Sequence, residues 1–200
     1  GAKVVVSSRK AEACEQVRAE FEKQGYEVLA QPCNVSRKEE LQALVDATLK
    51  RWGRIDTAVS NAASNPYYGP LASIPDDAFD KIFNNNVKSV LWLAAMTLPG
   101  MAERGGGSYI SVGSIGGIRA STVLGAYAIS KAADHHLTRC LAAEWGPKKV
   151  RVNAIAPGPF ATNIADGRMR DAAVRAAVVR SVPLGRVAST DEIQGLVLLL

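Results

Sequence analysis

The chain has 200 residues, 48% of them hydrophobic and 22% charged, with 24 Lys and Arg against 19 Asp and Glu. That length suits one domain around one core, and the composition excludes a disordered or low-complexity chain. The net charge of +5 is scattered among acids, so no nucleic-acid surface is expected, and a phosphate-bearing small ligand with a solvated surface accounts for it. No apolar run approaches the ~20 residues of a membrane span, and Gly1-Ala2-Lys3 leads straight into Val4 without a secretory signal. Cys14, Cys33 and Cys140 are odd in number and far apart. They read as buried or half-buried thiols in a reducing, cytoplasmic compartment, with no disulfide framework and no metal site.

Apolar runs alternate with helical patterns, the signature of βαβ units and a parallel sheet. Lys3 to Ser7 reads as a strand, then a charged helix runs from about Ala11 to Gln24 until Gly25 stops it. Glu27 to Gln31 is the next strand; Ser36 is expected to cap a helix through Leu41, Val45 and Leu49 to Trp52, closed by Gly53. Ile55 to Val59 is a strand, residues 65–70 a loop, and Pro75 opens a long helix to about Ala102. Tyr109 to Val112 forms the next strand after a glycine turn at Gly105-Gly106-Gly107. A helix follows with Ser121 and Thr122 as candidate caps, an apolar stripe of Ile129, Ala133, Leu137 and Leu141, and an end at Gly146-Pro147. Val150 to Ala156 is a strand, Pro157-Gly158-Pro159 breaks the pattern, and Phe160 to Gly185 reads as a flap with a helix around Asp171 to Arg180. Thr190 to Leu200 begins another helix.

Chemistry concentrates around Tyr127 and Lys131, four residues apart and therefore on one helix face. A free tyrosine keeps its proton until pH ~10. An ammonium one turn away favours the phenolate and is expected to bring that pKa down. Ser114 places a hydroxyl at the carboxyl end of a strand, the edge at which open α/β sheets bind ligands. Asn86 lies in the long helix upstream, and Asn61-Ala62-Ala63 follows another strand.

Taken in order, Asn86, Ser114, Tyr127 and Lys131 resemble the catalytic set of the short-chain dehydrogenase/reductase family, of the compact single-domain type. The resemblance implies an α/β, Rossmann-type, doubly wound parallel sheet and hydride transfer between NADP(H) and an alcohol or carbonyl substrate. It also implies a homodimer or homotetramer. Ser114 would bond the substrate oxygen, Tyr127 would donate or accept its proton, Lys131 would favour the phenolate and hold ribose hydroxyls, and Asn86 would fix a water beside Lys131. The loop from Ser60 to Pro66 and the run Ser7-Ser8-Arg9-Lys10 look most like the carbonyl-reductase branch around dehydrogenase/reductase member 4. The family's opening strand, its Thr-Gly-x-x-x-Gly-x-Gly turn and its last strand have no counterpart among these residues. The 200 residues are therefore expected to be a partial, interior window of that single domain, incomplete at both ends and weak in cofactor binding on their own.

Cofactor choice is read after the first strand. An Asp or Glu there would bond a ribose 2′-OH, whereas Ser8, Arg9 and Lys10 offer a guanidinium fork to a 2′-phosphate. By the resemblance, Asn34 and Val35 lie near the adenine, Asn61, Ala62 and Ala63 flank the nucleotide, and Pro157, Gly158 and Thr162 meet the nicotinamide carboxamide. The segment Ser181 to Arg186 would anchor the flap. His135, His136, Trp52, Trp92 and Trp145 read as helix-packing or subunit-contact residues, and Arg168, Arg170, Arg175 and Arg180 as the flap's wet face. A non-catalytic nucleotide-binding or redox-sensing protein is the rival reading, disfavoured by the intact catalytic set. An extended-branch epimerase or dehydratase fits the pattern around Pro183 and Arg186 less well. A serine hydrolase is excluded because Val112 stands two places before Ser114 and no nucleophile elbow exists.

Overall fold

The computed structural model describes residues 1–162 and 171–200, and shows five short parallel strands with helices between them. Strand β1 (Val4–Val6) pairs with β2 (Val28–Ala30), joined by helix α1 (Ala11–Lys23). Helix α2 (Lys38–Trp52) leads to β3 (Thr57–Ser60), which pairs with β4 (Gly107–Val112), which in turn pairs with β5 (Val150–Ile155). The sheet is thus in two pieces. Between β1 and β3 lies a cleft of ≈ 690 Å³ lined by Val4, Val5, Val45, Thr57, Val59 and Leu93 among others.

The helix between β3 and β4 has three parts: α3 (Asp76–Phe83), a π-helical turn (Asn84–Lys88) and α4 (Ser89–Glu103). The sequence pattern gave one continuous helix; the π turn inserts where three asparagines are pulled aside by partners outside the helix. Helix α5 (Gly125–Trp145) follows β4, and α6 (Ala172–Arg180) and α7 (Gln194–Leu199) follow β5. The core is built where α4 and α5 meet the middle strands: Ala94, Leu98, Met101, Tyr109, Leu141, Val150 and Val152 are all buried. Residues Ser108 to Ser111 of β4 are buried on both faces, as the middle strand of a parallel sheet requires.

Helix ends explain most boundaries, and two expected caps fail. Gly53 ends α2 in the left-handed region at φ 72°, with its N–H on the Leu49 carbonyl. Ser36 does not cap α2: its hydroxyl donates to Asn34 Oδ1 at 2.9 Å, so the helix starts after Arg37 without a side-chain cap. Ser121 likewise spends its oxygen on the N–H groups of Val123 and Leu124, just ahead of α5. The buried face of α5 is also rotated from the expected apolar stripe. Ile129 is exposed, while Ala126, Ser130, Asp134, Thr138 and Leu141 are buried, because small and polar side chains are what the close approach of β4 and the π turn admits.

After β5 the chain returns to Pro159–Ala161, where Ala161 N donates to Ala188 O at 2.9 Å and Ala188 N to Pro159 O at 3.2 Å. Arg186 forms a two-pronged pair with Glu192 at 2.7 and 2.8 Å, and Glu192 also accepts from the Ser189 N–H, so the far end of the flap is tied down. Arg175 and Arg180 are exposed on α6; Arg168 and Arg170 lie outside the described residues. Cys14 and Cys33 are buried thiols, whereas Cys140 is exposed rather than half-buried. Among the described residues no helix is long and apolar enough to cross a membrane.

Candidate active site

Strand β4 ends at Val112, and Gly113-Ser114 turn over the start of α5. Two close approaches make this turn possible. A Cβ on Gly113 would stand 2.2 Å from His135 Nε2, and one on Gly117 would stand 2.7–2.8 Å from the backbone of Lys131 and Ala132. Only glycine lets the turn lie flat on α5 at these points. Ser114 Oγ accepts from Gly116 N at 3.0 Å, and a Cβ on Gly116 would lie 3.3 Å from that oxygen and 3.6 Å from Tyr127 Cε1. The serine hydroxyl and the tyrosine ring therefore border the same small gap. Burial pushes the Tyr127 phenol above its ordinary value, while its hydrogen bond with Ser114 pulls the other way.

Lys131 is almost wholly buried, and its one hydrogen bond among those the described residues make goes to β4. Its Nζ donates to Val112 O at 2.7 Å, lies 3.8 Å from Asp134 Oδ2, and is 6.0 Å from the centroid of the Tyr127 ring. The expectation that this ammonium brings the Tyr127 pKa down is corrected accordingly: burial of the phenol dominates, and the lysine charge is directed at β4. Burial holds the Lys131 pKa below its ordinary value, with Asp134 opposing that shift.

Asn86 is fully buried in the π turn and fully engaged. Its Oδ1 accepts from Ser64 N at 2.8 Å, and its Nδ2 donates to Ser64 O and to Ser130 Oγ, both at 3.0 Å. It thus ties the loop after β3 to α5 at the residue next to Lys131. His135 is the residue that sequence reasoning missed. Beyond the helix packing or subunit contact expected of it, its Nε2 accepts from Ser114 N at 3.4 Å and fills the space that Gly113 leaves open. Its imidazole is held below the ordinary histidine value, chiefly by burial, which suits an acceptor nitrogen. The signal available was Gly113 itself, a glycine at a strand end with no turn of its own to explain it.

The positions read as nucleotide contacts follow the carboxyl ends of β1, β2, β3 and β5. Ser8 turns its hydroxyl back to the Lys10 carbonyl, while Arg9 and Lys10 are exposed and make no ion pair among the described residues. Asn34 commits its Oδ1 to Ser36, so it cannot offer that oxygen to a ring, and Val35 beside it is half-buried. Asn61, Ala62 and Ala63 are exposed at the end of β3. Pro157 accepts from Ile115 N at 3.0 Å, which ties the β5 end to the Ser114 turn, and Gly158 and Thr162 are exposed beyond it. An exposed guanidinium with no ion pair among the described residues, near a strand end of small side chains, fits the 2′-phosphate end of a phosphorylated dinucleotide.

The family described as Enoyl-(Acyl carrier protein) reductase matches residues 1–200. "Dehydrogenase/reductase SDR family member 4" of Sus scrofa is 36% identical over 197 residues, covering 98% of this chain and 71% of that protein. The chain belongs to the short-chain dehydrogenase/reductase family. Among solved structures, levodione reductase superposes with a TM-score of 0.95 at 31% identity, covering 100% of this chain and 81% of that one. A 7 alpha-hydroxysteroid dehydrogenase complexed with NADH and 7-oxo glycochenodeoxycholic acid gives 0.92 at 30% identity, covering 100% and 77%. The short-chain dehydrogenase/reductase fold is thereby established for the two sheet pieces and their helices. Membership makes the protein a nicotinamide-dependent oxidoreductase of the alcohol/carbonyl class.

Proposed function

We propose that this short-chain dehydrogenase/reductase is an NADP(H)-dependent carbonyl reductase/alcohol dehydrogenase in which Tyr127 moves the proton. The observation that carries the reading is the shared gap bordered by Ser114 Oγ and the Tyr127 ring, at the carboxyl end of β4. Bound NADP(H) would supply or take up the hydride. Arg9, with Ser8 and Lys10, would hold its 2′-phosphate; Asn34 and Val35 its adenine; Asn61, Ala62 and Ala63 the middle of the nucleotide. Tyr127 and Lys131 would hold its nicotinamide ribose, and Pro157, Gly158 and Thr162 its carboxamide. The relative that carries NADH in its crystal does not decide the cofactor for this chain; the exposed Arg9 favours a phosphate.

Ser114 donates a hydrogen bond to the substrate oxygen and stabilises the charge that grows there. Tyr127 then gives its proton to that oxygen. With its pKa raised by burial, Tyr127 is protonated at neutral pH, the form that reduction needs. Lys131 supplies positive charge beneath it, and Asn86 keeps the Ser64 loop and Ser130 in register. A homo-oligomer is consistent with the exposed Leu91 on α4 and Ile129 on α5. The test of the reading is Tyr127→Phe in the holoenzyme. Turnover is expected to fall by ~10²–10⁴, the range for a lost general acid, while NADPH binding by titration weakens far less, by the single ribose contact that the hydroxyl makes. Near wild-type turnover would remove Tyr127 from the mechanism.

A further inference from the structure

One buried charge has no part in that mechanism. Asp134 lies on α5, is 0% exposed, and is not matched by any acid or base in the reaction described. A carboxylate taken out of water needs a partner for each oxygen. Its Oδ1 has one, the Ser111 hydroxyl at 2.7 Å. Its Oδ2 accepts no hydrogen bond among the described residues. The cation facing it is Lys131 Nζ at 3.8 Å, within reach for an ion pair but too long for a hydrogen bond. Lys131 is itself only 3% exposed and its other contact is the Val112 carbonyl. Consecutive residues of β4 therefore grip both members of the pair, Ser111 by its side chain and Val112 by its backbone.

We propose that Asp134 is a positioning residue for Lys131: its buried carboxylate, braced by Ser111, draws the ammonium towards β4, keeps it charged, and limits the field it exerts on Tyr127. This inference rests on the assignment of Tyr127 and Lys131 to the reaction. The geometry supports it from both sides. The ammonium is 6.0 Å from the centroid of the tyrosine ring, and the atoms that hold it there are Val112 O at 2.7 Å and Asp134 Oδ2 at 3.8 Å. The ionisable groups that feel Asp134 are Lys131, Tyr127 and His135 on α5 and Tyr109 on β4. Tyr68 also acts on Tyr127, and Arg139 on His135. Asp134 raises the Lys131 pKa and raises that of Tyr127, so removing its charge lowers both.

The test is Asp134→Asn in the holoenzyme, an isosteric change that keeps an acceptor for Ser111. Lys131 is followed by NMR with ¹³Cε-labelled lysine, its signal assigned by its loss in Lys131→Met. The Lys131 titration is expected to move to lower pH, and the tyrosine limb of the pH–rate profile for alcohol oxidation to move the same way. A purely structural Asp134 would lower stability and leave both midpoints in place; an unmoved Lys131 midpoint overturns the proposal. Should the Lys131 midpoint move in a protein that shows no turnover, the positioning role stands and the proposed function falls. A second measurement covers the case in which Asp134→Asn alone does not fold. In the Lys131→Met background the carboxylate is left without its cation, so adding Asp134→Asn should raise Tm there. A fall in Tm on that addition also overturns the proposal.

Discussion

Arg9 illustrates how much a single residue can be asked to do. It stands just beyond β1, exposed and without an ion-pair partner among the described residues, so its guanidinium is available to a ligand. Arg9→Asp in the holoenzyme should weaken NADPH far more than NADH, because the substitution replaces a phosphate partner by a repelling charge and leaves the ribose hydroxyl readable. Titration of both cofactors against the variant gives the answer, and equal losses would assign Arg9 to stability instead. Lys131 is the complementary case. Its identity was plain from the Tyr127 spacing, yet its contacts with Val112 O and Asp134 depend on how β4 lies against α5. The side chain was legible; its direction was not.

At the scale of elements, the π turn Asn84–Lys88 is the join on which the site is hung. Asn84 Nδ2 reaches Ser36 O, Asn85 Nδ2 reaches Ser64 Oγ, and Asn86 binds Ser64 and Ser130, so three successive side chains hold three different segments. Asn86→Ala removes the acceptor of the Ser64 N–H, and an unsatisfied buried donor costs about 1–3 kcal/mol. The low end of that range is expected, since Ser64 is only half-buried and water can reach it. Urea unfolding measures the loss, and hydrogen exchange should show the Ser64 amide opening before the rest of the loop. Unchanged stability with an unchanged Ser64 amide would show that the loop is held by other means. Helical periodicity predicted an unbroken helix here because one extra residue in a turn scarcely disturbs the apolar pattern on either side.

For the whole molecule, the telling feature is the cleft between β1 and β3. Parallel strands satisfy their backbone through neighbours, and here the facing edges of β1 and β3 are paired on one side only, with Val59 exposed. Among the described residues the turn after β1 carries no glycine, so the phosphate proposed for Arg9 would have no glycine-rich loop beside it. A polypeptide of these 200 residues, studied alone, is therefore expected to bind NADPH poorly and to show little reductase activity with its candidate catalytic residues intact. Isothermal titration with NADPH checks this directly. Micromolar affinity with turnover would mean that the cleft closes in solution and that the phosphate account is wrong.

What the sequence determined by itself is what short-range physics encodes. Alternating strand and helix patterns specified a parallel α/β chain, Gly25 and Gly53 marked helix ends at φ 85° and 72°, and the four-residue step from Tyr127 to Lys131 specified a shared helix face. Ser114, Tyr127 and Lys131 stand out as candidates for that reason, together with their order along the chain. The tertiary structure alone decided which charge Lys131 answers to, which way the Tyr127 pKa moves, and that His135 backs Ser114. Those outcomes depend on contacts between residues such as Ser111 and Asp134 or Asn86 and Ser130, which lie far apart in sequence. They depend also on burial, a property that a residue acquires only when the strands and helices around it have packed.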